Sequence, residues 1–344
     1  MSQIDGVFML PGREYNLEKI SFCIPCYRSA KTIGIVIEDI KKIVLEREKE
    51  FDYEIICVVD GSPDNVFDIL SAMAKQDFRI KVINFAKNFG QGNARMASML
   101  YATGDYIVCL DDDGQCPMSE FWNLFKPIEN GSDVSIARYP KKKQSVFKNF
   151  GSYVNKVMVK TLLDVPKDFT MSNFYVIKRY VVKQIIKYDN PYPYMTGLIT
   201  RVTSSICHVK MEENERLEGK TGYTFKKLIG LWVNGLTAFS VIPLRISSVA
   251  GIICSLLGFI IGAITVIRKL LGADITAGWS SMVSIMLFMG GLIMLMLGMI
   301  GEYLGRIYIC LNKSPQYVVK DKINISVEEH SFANRVRYDE NKKS

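Results

Sequence analysis

Two uncharged apolar stretches constrain this chain more than any other feature. Ile246 to Ile267 runs 22 residues without a charge between Arg245 and Arg268. Ala277 to Gly301 runs 25 more, with Trp279 near its start and Glu302 at its end. About 20 such residues in a helix cross the hydrocarbon core of a bilayer. A buried core hairpin is the competing account, but two runs of this length predict a transmembrane hairpin over 245–302. Two spans return the chain to the side it left. Arg306, Lys313, Lys320 and Lys322 follow the second run, and residues 1–19 carry Asp, Glu, Arg and Lys with no long apolar stretch. The positive-inside rule and the missing leader then put both flanks in the cytoplasm. Arg268 and Lys269 in the connecting loop count mildly the other way. The chain is expected to be integral to the cytoplasmic (inner) membrane. It divides into a cytosolic domain (1–222), an amphipathic juxtamembrane helix (223–244), the hairpin (245–302) and a cytosolic tail (303–344).

Apolar residues make up 49% of the 344, and the excess is concentrated in the hairpin, so residues 1–240 read as an ordinary globular chain. The net charge of +8 suits anionic partners such as a nucleotide, a phosphate or an acidic leaflet, although solubility alone would also account for it. No nucleic-acid partner is expected. Cys23 and Cys26 form a C-x-x-C, but no second pair stands at zinc spacing and the chain has two histidines, so a zinc or redox centre is not expected.

The first half alternates strand-like and helix-like patterns. Apolar runs at 20–27, 53–60, 80–85 and 104–113 are separated by helical spacing at 32–48, 65–76 and 92–102. That alternation predicts a mostly parallel α/β sheet, in which ligands bind at the carboxyl ends of the strands. Further strands are expected at 133–138 and 203–211, a strand running into a helix at 174–188, and an amphipathic helix at 145–163 with Lys148, Lys156 and Lys160. In 223–240, Lys226 and Lys227 lie beside Phe225, Leu228, Leu231 and Trp232, a pattern suited to the membrane interface.

The strand over 104–113 ends in three aspartates. Carboxylates clustered at a strand end cannot all stay charged cheaply without a cation. A hard divalent ion, Mg2+ or Mn2+, satisfies them through oxygen and can bridge a diphosphate. Asp113 is the preferred ligand, with Asp111 supporting a ribose or the ligand geometry and Asp112 turned away; an acidic surface turn would look alike in sequence. Asp60 ends an earlier strand within V-V-D-G-S-P-D, where it could accept hydrogen bonds from a base or ribose as well as build a turn. Lys87, Asn88 and Gly90 form a loop before a helix, where a cation and a helix start would suit a diphosphate or a base.

Taken together, I-P-C-Y-R-S-A-K-T-I, V-V-D-G-S-P-D, N-F-G-Q-G-N-A-R-M-A-S-M-L-Y-A-T-G-D-Y-I-V-C-L-D-D-D-G-Q-C-P and an Arg on the next strand resemble the family-2 inverting glycosyltransferases of GT-A fold. The segment R-L-E-G-K-T-G-Y-T-F-K-K-L-I-G-L-W-V-N-G-L-T-A-F-S leading into two spans is similar to the polyprenyl-phosphate sugar synthases, the dolichyl-phosphate mannose synthase and bactoprenol glucosyltransferase group. The resemblance covers roughly residues 18–312. It implies a Rossmann-like GT-A domain that transfers one sugar from a nucleotide-sugar, with a UDP-hexose favoured. The acceptor would be polyprenyl (undecaprenyl) phosphate, the anomeric centre would be inverted, and Mg2+ or Mn2+ would be required. By the same resemblance Pro25, Tyr27, Asp60, Lys87, Asp111, Asp112 and Gln115 would bind the donor, with Asp111 and Asp113 holding the metal. Arg138 would approach phosphate, Arg216 and Lys220 would meet the lipid phosphate, and a homo-oligomer such as a tetramer is compatible. The product would feed modification of a cell-envelope glycan or O-antigen.

Two departures stand out. Arg28, Ser29 and Ala30 replace the Asn-Glu-Glu of many relatives, and Asn173 stands where many have a carboxylate proposed as general base. A phosphate monoester is already anionic at neutral pH, so its oxygen needs positioning and charge balance more than deprotonation, and Asn173 could orient it. The main alternative is a transferase of the same fold acting on a lipid-diphosphate-linked glycan. Processive synthases use more spans and a Q-x-x-R-W-type motif that is missing here, and a non-catalytic scaffold would not need three aspartates at a strand end.

Overall fold

The computed structural model describes residues 17–140, 169–191, 193–215 and 217, isolated positions between 249 and 271, and residues 278–312 and 315–326. The expected helices at 145–163 and 223–240 lie outside the described residues, as do Arg216 and Lys220.

The alternation folds as the spacing requires. Strands β1 (Glu18–Cys26), β2 (Phe51–Val59), β3 (Ile80–Phe85) and β4 (Tyr106–Cys109) are separated by helices α1 (Ile33–Leu45), α2 (Val66–Gln76) and α3 (Gln91–Tyr101). A short 3-10 turn leads to α4 (Phe121–Glu129). Then come β5 (Val134–Arg138), β6 (Tyr175–Lys178), α5 (Arg179–Ile185), α6 (Met195–Val202) and β7 (Ile206–Lys210). Beyond them lie the long helix α7 (Trp279–Leu311) and β8 (Val319–Ile323).

One eight-stranded sheet runs in the order β7-β5-β6-β4-β1-β2-β3-β8. Its centre, β4-β1-β2-β3, is parallel, as expected. The flanks are mixed: β6 runs antiparallel to β4 and β5, and β8 antiparallel to β3. Because β6 reverses between them, β5 runs the same way as β4, and the start of β6 lies at the edge where β4 and β5 end.

Both faces are covered, which explains why the central strands read as nearly unbroken apolar runs. Ile20, Phe22 and Ile24 of β1 pack with the Ile33, Val36, Ile37, Ile40 and Val44 stripe of α1 and with α2 and α4. The alternate positions, Cys23 of β1 with Ile56 and Val58 of β2, pack against α3, α5 and α6. That stripe recurs every three or four residues, the period of a helix with one buried face.

One buried charge sits among these apolar strands. Glu54 of β2 is 1% exposed and accepts hydrogen bonds from Ser21 Oγ (2.5 Å), the Thr103 amide (2.6 Å) and hydroxyl (2.8 Å), and Lys81 Nζ (2.7 Å). Lys19 Nζ adds an ion pair at 3.1 Å. Burial alone would raise its pKa; Lys81 and Lys19 outweigh that and hold it at about 2.

Two findings bear on the layout toward the C-terminal end. The second apolar run becomes α7, 33 residues long, and its 18-residue window Phe288–Gly305 has a mean hydropathy of 1.5 with none of it buried. Among the described residues this is the one helix long and apolar enough to cross a membrane. Most of 246–267 lies outside the described residues, although the described positions from 249 to 270 are helical. In addition, part of what reads as a tail supplies the sheet's edge strand. Tyr317 stacks on Phe85 (ring centroids 4.8 Å, 15°), Gln316 Nε2 donates to the carbonyl of Asn190, and Asn324 Nδ2 donates to the carbonyls of Ala74 and Ile80.

Candidate active site

The parallel centre changes direction at β1: β2 and β3 lie to one side and β4 to the other. In an open α/β sheet that switch point opens a crevice beyond the carboxyl ends of the strands. Four loops meet there, each held by side chains of another.

The loop after β1 is fastened at three amides. Tyr27 N–H donates to Asp112 Oδ2 (2.9 Å), Arg28 N–H to Ser62 Oγ (2.7 Å) and Ala30 N–H to Asp64 Oδ2 (2.9 Å). Arg28 holds a φ of 59°, unusual for a residue with a Cβ, and its guanidinium lies 5.4 Å from the Tyr27 ring. Pro25 is buried at the strand end, whereas Tyr27 and Arg28 are exposed at the rim.

Asp60 ends the β2 run, and both its oxygens already have partners. Oδ1 accepts the Phe89 N–H at 2.6 Å and Oδ2 the Gly90 N–H at 2.9 Å, while Asn88 Nδ2 donates to its carbonyl at 3.1 Å. Burial raises its pKa and the two amides oppose the rise. Asp60 therefore shapes the loop that carries Lys87, and any ribose or base would have to use its remaining lone pairs. Gly61 lets the two loops touch: at φ +57°, a Cβ there would fall on the Asn88 amide and lie 2.8 Å from the Lys87 Cα. Lys87 itself is exposed, 5.2 Å from the Phe89 ring.

The three aspartates after β4 have three environments. Asp111 Oδ1 accepts Arg95 Nη2 (2.9 Å) and Gln91 Nε2 (2.7 Å), and Oδ2 accepts Asn173 Nδ2 (2.7 Å). Asp112 turns back to the β1 loop; burial, reinforced by the charges of Asp111 and Asp113, pushes its pKa up to about 6. Asp113 is half-buried and accepts the Gln115 N–H at 3.1 Å. Arg138 ends β5, half-buried, and Asn173 stands exposed just before β6, so both lie at the sheet edge that bears the aspartates.

The segment before Arg216 closes against the same turn. Asn214 N–H donates to the Gln115 carbonyl (3.1 Å) and Leu217 N–H to the Asp113 carbonyl (3.3 Å). Leu217 packs so closely on Gly114 (φ +76°) that a Cβ there would lie 2.8 Å from its Cγ. Arg216 and Lys220 lie outside the described residues.

The donor set bears on a metal. Among the described residues no three His, Cys, Asp or Glu side chains form a self-sufficient cage. A half-buried carboxylate at a strand end suits the other common arrangement, in which Mg2+ or Mn2+ is shared between one or two carboxylates and the oxygens of a diphosphate. Asp113 fits that arrangement. Asp111, its charge already met by Arg95, fits it less well.

Comparison with known proteins decides the class. Residues 21–188 match the glycosyl transferase family 2 profile and residues 242–307 that of the GtrB C-terminal hairpin. The uncharacterized glycosyltransferase YkcC of Bacillus subtilis is 33% identical over 306 residues, 89% of this chain and 94% of that one. The chain belongs to glycosyltransferase family 2. A prophage bactoprenol glucosyl transferase homolog of Escherichia coli is 29% identical over 309 residues (88% of this chain, 98% of that one). The bactoprenol glucosyl transferase of Shigella phage SfX is 28% identical over 311 (88% and 99%).

The crevice also brings together residues that no sequence motif singles out. Gln91 and Arg95 stand at i, i+4 on one face of α3, aimed at Asp111. A usable signal lies in the sequence: Gln91 and Arg95 recur at helical spacing on one face of a helix whose other residues are mostly small or apolar. Ser62 and Asp64 read as turn formers, and only the fold shows that they tie down the β1 loop.

Proposed function

We propose that the transferase moves a single hexose from a nucleotide-sugar, UDP-linked by preference, to a polyprenyl phosphate at the cytoplasmic face of the inner membrane. The observation that carries this is the pairing of a strand-end carboxylate crevice with an apolar helix after it, in a chain similar along nearly its whole length to bactoprenol glucosyl transferases.

In this reading Asp60 and Gly61 hold the loop bearing Lys87, so that Lys87 and the rim at Tyr27 meet the nucleotide. Asp113 would hold Mg2+ or Mn2+ together with the donor's diphosphate, where the cation offsets charge on the departing nucleoside diphosphate. Gln115 lines the donor side, and Arg138 lies at the phosphate side of the crevice. The acceptor phosphate oxygen attacks the anomeric carbon as the bond to the nucleoside diphosphate breaks, which inverts that centre without a covalent enzyme intermediate. Arg216 and Lys220 would bind the acceptor phosphate, for which an arginine fork is suited. Asn173 orients the attacking oxygen, and no side-chain base is required because that oxygen is already anionic.

Two supports favour the hairpin. The first is a matter of sides: β8 follows α7, yet pairs with β3 in the sheet that precedes it. If α7 crosses a bilayer, a single crossing would separate those strands, so an even number of crossings is needed. The run 246–267 is the other stretch of spanning length. The second is surface: Met286, Phe288 and Met294 on α7 are 67%, 66% and 71% exposed, an apolar surface that lipid would cover.

The deciding experiment offers radiolabelled UDP- and GDP-sugars to the detergent-solubilised chain with undecaprenyl phosphate, with Mg2+, Mn2+ or EDTA, alongside Asp113→Ala. A chloroform-extractable product from one donor, lost with EDTA and in the variant, is expected. Donor binding without any lipid product would move the acceptor to a lipid-diphosphate-linked glycan.

A further inference from the structure

We propose that Arg95 is a positioning residue of the transfer site: it pins Asp111 and, through Asp111, the side chain of Asn173. This rests on reading the crevice as the donor site. Arg95 is 6% exposed on α3, and its Nε has no hydrogen-bond partner among the described residues. A buried cation is costly to keep, and packing alone would be served by an apolar side chain of similar length. Its Nη2 reaches Asp111 at 2.9 Å, Gln91 one turn earlier reaches the same oxygen at 2.7 Å, and Asn173 holds the other oxygen at 2.7 Å. Three donors from two separate parts of the chain thus converge on one carboxylate.

Two consequences follow from that convergence. The Asp111 carboxylate cannot rotate, because each oxygen is tied in a different direction, and its charge is balanced from below. Asn173, exposed at the crevice, has one amide N–H committed to Asp111, which fixes the side chain and leaves its second N–H as the donor for an anionic ligand oxygen. The cradle therefore connects the interior of α3 to an exposed polar side chain that stands just before β6. It also makes Asp111 an anchor, leaving Asp113 as the carboxylate for a divalent ion.

The test uses the full chain in detergent with Arg95→Lys, Arg95→Met, Asp111→Asn, Asp113→Asn and the double change R95M/D111N. Three quantities are read: melting temperature, release of UDP from a UDP-sugar, and Mn2+ affinity in the presence of UDP by electron paramagnetic resonance. Release of UDP needs no lipid product, so a wrong acceptor would not hide the result. Arg95→Lys keeps the charge but shortens the reach to Asp111 Oδ1, and is expected to lower kcat about tenfold or more with donor KM within about threefold. R95M/D111N removes both buried charges, so its melting temperature should recover relative to the single changes while kcat stays low. Its Mn2+ affinity should remain within about threefold of the unaltered chain, whereas Asp113→Asn should weaken it about tenfold or more. Recovery of kcat along with melting temperature would reduce Arg95 to a packing residue and overturn the proposal. Loss of Mn2+ affinity in the double variant equal to that of Asp113→Asn would overturn it also, by making Asp111 a ligand.

Discussion

Glu54→Gln removes one charge from the middle of the sheet and changes almost nothing else in size. In the folded chain Glu54 titrates at about 2, against an ordinary 4.5. A displacement of that size corresponds to roughly 3 kcal/mol of preference for the ionised form. The carboxylate is 1% exposed, so little of this is lost to solvent screening. Breaking a buried ion pair from one side typically costs about 3–5 kcal/mol, and the Gln amide also presents N–H groups where Ser21, Thr103 and Lys81 now donate. For a domain of this size that is a fall of roughly 10 °C in melting temperature. Scanning fluorimetry of the detergent-solubilised chain at pH 7 measures it. The sign with pH follows from the depressed pKa: the contribution is complete above about 4.5 and is lost as pH falls through about 2. The gap between the two proteins should therefore be constant from pH 5 to 8 and narrow only in acid. A melting temperature within about 1 °C of the unaltered chain at pH 7, or a gap that changes between pH 6 and 8, would refute the energetics.

Gly61→Ala should weaken UDP binding about tenfold, near 1.4 kcal/mol, because the new Cβ displaces the loop that Asp60 holds; isothermal titration reads it. Gly61→Asn should do equal harm although Asn tolerates a positive φ, and full affinity in either variant would sink the contact argument. Tyr317→Ala empties a site 3% exposed and removes the stack on Phe85, with an expected cost of about 3 kcal/mol. Since Phe85 packs on Phe89 and Phe89 N–H binds Asp60, UDP affinity should fall as well; unchanged stability and affinity together would show that β8 does not support the donor loop.

Some of this protein was decided by local sequence. The strand and helix periods of residues 18–138 survive into the fold within a few residues, because burial on both sheet faces and on one helix face leaves a period of its own. The carboxylates at the ends of β2 and β4 were placed by the same logic, since an α/β sheet offers its crevice there whatever the side chains. The edge strand β8 was not legible: Val319–Ile323 carries Lys320, Asp321 and Lys322, and its strand character comes from pairing with β3 rather than from an apolar alternation. The sequence can rank the three adjacent aspartates, with Asp112 turned away, but it does not contain the partners that give each its environment. Arg95 and Asn173, 16 and 62 positions away along the chain, bind Asp111, and Tyr27, 85 away, binds Asp112. Local pattern fixes where a charge falls on a strand or helix. Which charge meets which partner depends on contacts across the sheet, and those exist only once the chain has folded.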